Sequence, residues 1–218
     1  MALTLQTHPD YPQPHQVEQI VSSLHRGCVM LYPTDTVYAI GCDALNKGAV
    51  DRVRQLKQMS NDKPLTLLCS SLSDIATYAY VSDTAYRLMR HLIPGPYTFL
   101  LPATKVVPKL VLNPKRKTAG IRVPAHPLCQ ELLKTLGNPI ISTSAKLDGE
   151  PIKVLPLDPR DMDEITKQVD LVVDDQSPYR SAVSTVIDLT DDEPVVLRQG
   201  LGYEAVDYLP YQEDAVPV

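Results

Sequence analysis

Residues 31–42 read LYPTDTVYAIGC, and the fold turns on how this stretch is understood. Apolar runs flank it, Val29 to Leu31 before and Val37 to Cys42 after, and both have the length and character of buried strands. Between them Pro33-Thr34-Asp35-Thr36 places three hydrogen-bonding side chains in a row. Asn-Gly would close a hairpin with far less side-chain chemistry. Thr and Asp also close turns by bonding to their own backbone, so turn closure and ligand binding both account for these residues.

Working outward, strand and helix patterns alternate irregularly. Val17, Ile20, Val21 and Leu24 recur at helical spacing, with Gly27 as a stop. Lys47 to Lys57 reads as helix, PLTLLC as a short buried strand, and Ser82 caps a helix carrying Ala85, Leu88, Met89 and Leu92. YTFLLPA and KTAGIRVP are strands around a basic loop, NPKRK. Pro127 opens another helix and Gly137 ends it. NPIISTSAK, VDLVVDD, STVIDLT and PVVLRQG read as strands, with a short helix from Asp163 to Gln168. Hairpin-like neighbours among βα units predict an α/β fold with a mixed parallel and antiparallel sheet. A single domain is expected over residues 1–202. From Tyr203 to residue 218 the acidic, Pro- and Tyr-rich sequence shows no periodicity and reads as a loosely ordered tail.

The chain has 218 residues, 44% of them apolar and 22% charged, enough for one substantial core. A net charge of -5 does not advertise a nucleic-acid surface, although a local basic patch is compatible with it. Cys28, Cys42, Cys69 and Cys129 stand apart with no CxxC pair, which reads as buried reduced thiols. With no leader pattern and no apolar stretch of spanning length, a cytoplasmic protein with no membrane partner is expected.

Several motifs are excluded. There is no GxxxxGK[ST], HExxH or GxSxG, and the five histidines have no ligand spacing, so no resident metal site is expected. Gly200 to Ala205 matches G-x-G-x-x-A, but too little chain follows for a βαβ unit. What remains is a series of strand-end clusters rich in hydroxyls and cations: Thr34-Asp35-Thr36, Lys57, Thr118 with Arg122, Ser142-Thr143-Ser144, Ser184-Thr185 and Arg198. Each alone is explained by turn chemistry or a surface ion pair. Together they are how an α/β sheet presents a ligand site, and the residue types suit phosphate and carboxylate.

YPTDTVYAIGCDA, LKQMSNDKPL, PGPYTFLL, GIRVPAHP, STSAKLDGEP, STVIDLT and LRQG occur in this order. In that order they resemble the YrdC/Sua5 family, from about Gly27 to Gly200. The resemblance implies a twisted α/β sheet around a concave, positively charged cavity. It implies synthesis of threonylcarbamoyl-adenylate from L-threonine, bicarbonate and ATP, with Mg²⁺ accompanying the triphosphate, for the t6A modification of tRNA. By resemblance, Thr34, Thr36, Arg122, Ser142 and Ser184 hold threonine. Lys57, Asn61, Thr118, Ser144, Ile152 and Arg198 surround ATP, and Lys57, Ser144 and Lys146 stand at catalytic positions. The reaction needs no protein nucleophile, which agrees with the missing Cys/His and Ser/His pairs; positioning and charge stabilisation carry it.

The chain departs from the synthase pattern in two elements. K-x-R reads Lys57-Gln58-Met59, and S-x-N reads Ser144-Ala145-Lys146. Ala39 also replaces the usual Gly after PTDTVY. These changes and the N-terminal HPD, His8 to Asp10, resemble the YciO branch. Losing one charge-assisted bond of about 1.5–3 kcal/mol corresponds to roughly one to two decades in rate. Arg plus Asn has become Met plus Lys, so the formal charge is kept. Two readings follow: a slower synthase, or a non-catalytic binder of double-stranded RNA, tRNA or nucleotide. For the second, the basic residues are Lys105, Lys109, Lys115, Arg116 and Lys117.

Overall fold

A computed structural model describes residues 2–57, 65–113, 115–147, 150–152, 155, 159–177 and 182–212. In chain order the elements are β1 (Leu3–Gln6), α1 (Pro14–His25), β2 (Met30–Tyr32), β3 (Ala39–Asp43), α2 (Lys47–Leu56), β4 (Thr66–Leu68), α3 (Leu72–Tyr78), α4 (Asp83–Leu92), β5 (Tyr97–Pro102) and β6 (Thr118–Arg122). They continue with α5 (Pro127–Leu136), β7 (Ile140–Ser144), β8 (Lys146–Leu147), β9 (Glu150–Pro151), α6 (Pro159–Gln168), β10 (Leu171–Asp174), β11 (Thr185–Asp188) and β12 (Val195–Arg198).

The PTDT turn joins β2 and β3, an antiparallel pair near the middle of a ten-stranded sheet ordered β1-β10-β2-β3-β7-β4-β6-β5-β11-β12. β10 lies parallel to β1 and β2, and β4 to β6, while β3/β7, β4/β7 and β5/β6 are antiparallel. The sheet is mixed, as expected. Local signals set the helix ends. Ser82 Oγ accepts from Ala85 N, and Gly137, at φ 74°, ends α5.

Three segments differ from the sequence-based expectation. Leu3–Gln6 pairs in register with Leu171–Asp174 as an edge strand whose side chains are mostly exposed, so no apolar run announces it. α3 occupies a segment to which the sequence patterns assigned no element. Its start is an N-cap, with Ser71 Oγ accepting from Asp74 N while the Asp74 carboxylate accepts from Ser70 N, and this S-x-x-D was legible. The segment read as a loose tail is docked as far as Gln212. Tyr203–Ala205 makes a 3-10 turn, Val206 is buried, and Val196 N donates to Pro210 O at 2.8 Å. One turn and a single bridge leave no periodic trace.

Side-chain alternation divides the sheet into two faces. Ala119 and Ile121 of β6 join the larger core with α2, α3, α4 and α6, so Thr118, Gly120 and Arg122 point to the opposite face. On that face α1 and α5 bury Met30, Tyr32, Ile140 and Leu68. A small apolar group, Leu100, Val186 and Leu197, lies further along. Between the two stands a polar strip that no helix of the second core covers: Thr66, Thr98, Thr118, Arg122, Ser142 and Ser184.

Gly41 fixes one border of this strip. A Cβ there would stand 2.3 Å from Ile141 O and 2.7 Å from the Tyr32 ring, whose hydroxyl donates to Ser142 Oγ at 2.9 Å. Gly41→Ala should therefore lower stability by about 1–3 kcal/mol, the range for overpacking. Urea unfolding measures it, and an unchanged midpoint would contradict this packing.

Candidate functional site

The PTDT turn is buried and internally bonded. Thr34 Oγ1 donates to Val37 O at 2.8 Å and accepts from Thr36 N at 3.1 Å. Its single proton is spent on the carbonyl, so in the 3.0 Å contact between the two hydroxyls Thr36 is the donor. Thr36 Oγ1 then accepts from Arg122 NH1 at 2.9 Å. Thr34 thus closes the turn in this structure, while Thr36 and Asp35 connect it to the sheet.

Arg122, at the end of β6, is 6% exposed. Its NH2 donates to Asp35 Oδ1 at 2.5 Å. Among the described residues, Arg122 Nε and Asp35 Oδ2 are buried without a hydrogen-bond partner. Arg198, at the end of β12, donates from Nε to Ser184 O at 3.0 Å and from NH2 to Ser184 Oγ at 2.9 Å. Thr98 Oγ1 completes this cluster, 2.9 Å from Ser184 Oγ. Among the described residues Arg198 has no ion-pair partner. Burial first, and the nearby Arg122 cation second, pull its pKa down to about 10. Two guanidiniums, only one with a counter-ion, face a strip lined by Thr36, Thr98, Ser142 and Ser184. Those residue types and that excess of positive charge suit an anionic ligand.

A second pair of cations stands at the β7–β8 end. Lys57, just past α2, donates to Ser144 O at 2.8 Å. Its pKa is lowered by burial first and by Lys146 second. Lys146 is exposed in β8. Nearby, Ile152 is buried and its backbone ties the turn to β7: Tyr38 N donates to Ile152 O, and Ile152 N to Ala145 O, both at 2.9 Å. Thr118 is also buried. Asn61, assigned to ATP by resemblance, and Met59 lie outside the described residues.

A triphosphate bridging Lys57 and Lys146 would relieve their repulsion. Lys146→Asn should weaken ATP affinity about two- to fivefold, the scale of one exposed ion pair. Calorimetric titration checks it, and unchanged affinity would make Lys146 a solvent-facing lysine only.

Lys105, Lys109, Lys115, Arg116 and Lys117 are exposed on the connection from β5 to β6, outside the strip. Arg116 lies 3.8 Å from Asp188 across the surface. Among the described residues no His/Cys/Asp/Glu group of metal-binding size occurs, and the cysteines are free. Three are buried as expected; Cys28 is half-exposed instead, because it stands in the connection that follows α1.

Sequence reading missed Asp35 as the partner of Arg122, and it missed a buried cluster behind the turn. His126 Nε2 and Asp175 Oδ2 are 2.9 Å apart, and Tyr38 OH donates to Asp175 Oδ1 at 3.2 Å. Cys129 Sγ donates to Pro33 O, tying the turn to α5. The signal for Asp35 was present, since it sits between two residues already singled out. The His126–Asp175 contact left none, because nothing local connects AHP with VVDD.

The chain matches the Sua5_yciO_yrdC family model, described as Telomere recombination, over residues 22–200. It belongs to that family. It is 44% identical over 200 residues to uncharacterized protein YciO of Escherichia coli K12, covering 89% of this chain and 94% of that one. The crystal structure of E. coli YciO has a TM-score of 0.83 at 43% identity, over 93% and 97% of the two chains. A threonylcarbamoyl-AMP synthase of Vibrio vulnificus is 31% identical over 188 residues, 84% of this chain and 98% of that one. P. abyssi Sua5, solved in complex with L-threonine, has a TM-score of 0.83 at 26% identity, covering all of this chain and 65% of its own. Among the described residues, no helix is long and apolar enough to cross a membrane.

Proposed function

We propose that this chain is a threonylcarbamoyl-adenylate synthase. The observation that carries the reading is the pair Arg122 and Arg198 bonded into the hydroxyl-lined strip through Thr36 and Ser184, with Lys57 held on Ser144 O at the end of β7. Support comes from relatives named for that activity and from a related structure holding L-threonine. The reaction joins two anions. The threonine amine attacks bicarbonate to give a carbamate and release water. A carbamate oxygen then attacks the α-phosphate of ATP, forming the mixed anhydride and releasing pyrophosphate. Arg122 with Thr36, Ser142 and Ser184 holds the amino acid. Arg198, Lys57, Ser144, Lys146, Thr118 and Ile152 border the nucleotide, together with Asn61. Mg²⁺ arrives with the triphosphate as part of the substrate. Arg198, Lys57 and Lys146 supply the positive charge that stabilises the phosphoryl transition state electrostatically. In this reading the product supplies tRNA t6A modification in the cytoplasm.

The test is incubation of pure protein with ATP, Mg²⁺, bicarbonate and labelled threonine, followed by chromatography. Labelled adenylate is the expected product; its absence from a folded sample contradicts the reading. The basic loop at Lys105 to Lys117 favours a second reading, a non-catalytic binder of tRNA, double-stranded RNA or nucleotide. Salt-dependent tRNA binding without adenylate formation would establish it.

A further inference from the structure

Behind the turn between β2 and β3 lies a buried cluster that the proposed reaction does not use. Asp175, just past β10, is fully buried. A carboxylate in such a place persists only where donors replace its water. Asp175 collects them from three parts of the chain. His126 Nε2 donates to Oδ2 at 2.9 Å and Tyr38 OH to Oδ1 at 3.2 Å. Ser177 donates to Oδ2 from Oγ at 2.7 Å and to Oδ1 from its backbone N at 3.2 Å. The ionised carboxylate only accepts, so the imidazole proton stands on Nε2. Among the described residues His126 Nδ1 is buried with no hydrogen-bond partner, so the bond to Asp175 is the polar contact that orients the ring.

Both ends of the turn are held from the start of α5. His126 immediately precedes Pro127, the first residue of that helix, and reaches Tyr38 through Asp175. Cys129, in the first turn of the helix, donates from Sγ to Pro33 O at 3.3 Å. Asp35 and Thr36, which carry the contacts to Arg122, lie between these two anchors. Tyr38 and Asp175 are fully buried and His126 is 6% exposed, so none of the three meets a ligand. Their effect passes through the turn.

Resting on the amino-acid substrate of the proposed function, we infer that His126 and Asp175 are positioning residues. They fix the turn at its Tyr38 end, and through Asp35 and Thr36 they aim the Arg122 guanidinium at the substrate carboxylate. Reacting groups tolerate little displacement: a shift of about 1 Å can cost about a hundredfold in rate.

Three variants test this. His126→Ala removes the ring donor, His126→Gln returns an amide donor near the place of Nε2, and Tyr38→Phe removes only the hydroxyl. Two readouts are needed: hydrogen exchange of the turn, where Thr36 N is held by Thr34 Oγ1, and the KM for each substrate in adenylate formation. In His126→Ala the turn should exchange at least about tenfold faster and the threonine KM should rise about tenfold, with the ATP KM changed less than about twofold. His126→Gln should bring both readouts back to within about threefold of wild type. Tyr38→Phe should move them the same way by a smaller factor, and it decides the matter if His126→Ala does not fold. Exchange that rises equally across the whole sheet, with both KM values altered alike, overturns the inference and shows a general loss of stability. Unchanged turn exchange overturns it too, as does His126→Gln as impaired as His126→Ala. If wild-type protein makes no adenylate, the synthase reading fails, and turn exchange alone then decides the positioning role. Adenylate formed by the wild type, with the threonine KM unmoved in both His126→Ala and Tyr38→Phe, overturns the positioning role and leaves the synthase reading standing.

Discussion

Arg122→Ala should weaken L-threonine binding about 100-fold while changing ATP affinity less than about threefold. A fork bonded to a carboxylate contributes roughly 1.5–3 kcal/mol, and each 1.4 kcal/mol is about a decade. The guanidinium leans on the turn through Thr36 and Asp35 and not on the Lys57 end of the strip. The variant also leaves Asp35 without its counter-ion, so stability should fall. Breaking a fully buried pair costs about 3–5 kcal/mol, and partial exposure of Asp35 places this case at the lower end. Titration with each ligand separates the roles. Equal loss for threonine and ATP would assign Arg122 to the architecture alone.

Arg198→Ala should act on the other substrate, lowering ATP affinity about 10- to 30-fold. Its pH dependence gives a sharper test. Burial depresses the Arg198 pKa to about 10, so the ligand-free protein carries the penalty of a buried cation below that pH. That penalty lifts as pH rises through about 10, and the free protein gains stability from this group. A bound phosphate favours the charged form, so nucleotide affinity should be level below about pH 9 and should fall above about 10. The fall should be smaller in Arg198→Ala but not absent, because Lys57, whose pKa burial also lowers, loses its charge at high pH as well. A wild-type affinity insensitive to pH in this range would mean that Arg198 meets no phosphate.

What was legible in the sequence had local causes. Ser82, Pro127 and Gly137 mark helix ends because caps and φ preferences act within one turn of chain. Both strands around PTDT were legible because each is buried on two faces. The edge strand Leu3–Gln6 is half-solvated, and Val206 docks as a single side chain, so neither leaves a period to read. The site was legible as a set of residues and not as a geometry. Arg122 and Asp35 are 87 residues apart, His126 and Asp175 are 49 apart, and only the sheet order brings them together. Thr34 shows the converse: its residue type suits a ligand, and its proton goes to Val37 O.

The most direct test of the central claim is pyrophosphate release by the pure protein with ATP·Mg²⁺, bicarbonate and L-threonine, omitting each component in turn. The account predicts release only when all three substrates are present, at a rate that collapses in both Arg122→Ala and Arg198→Ala. No release from folded protein, or release that does not require threonine, would contradict it.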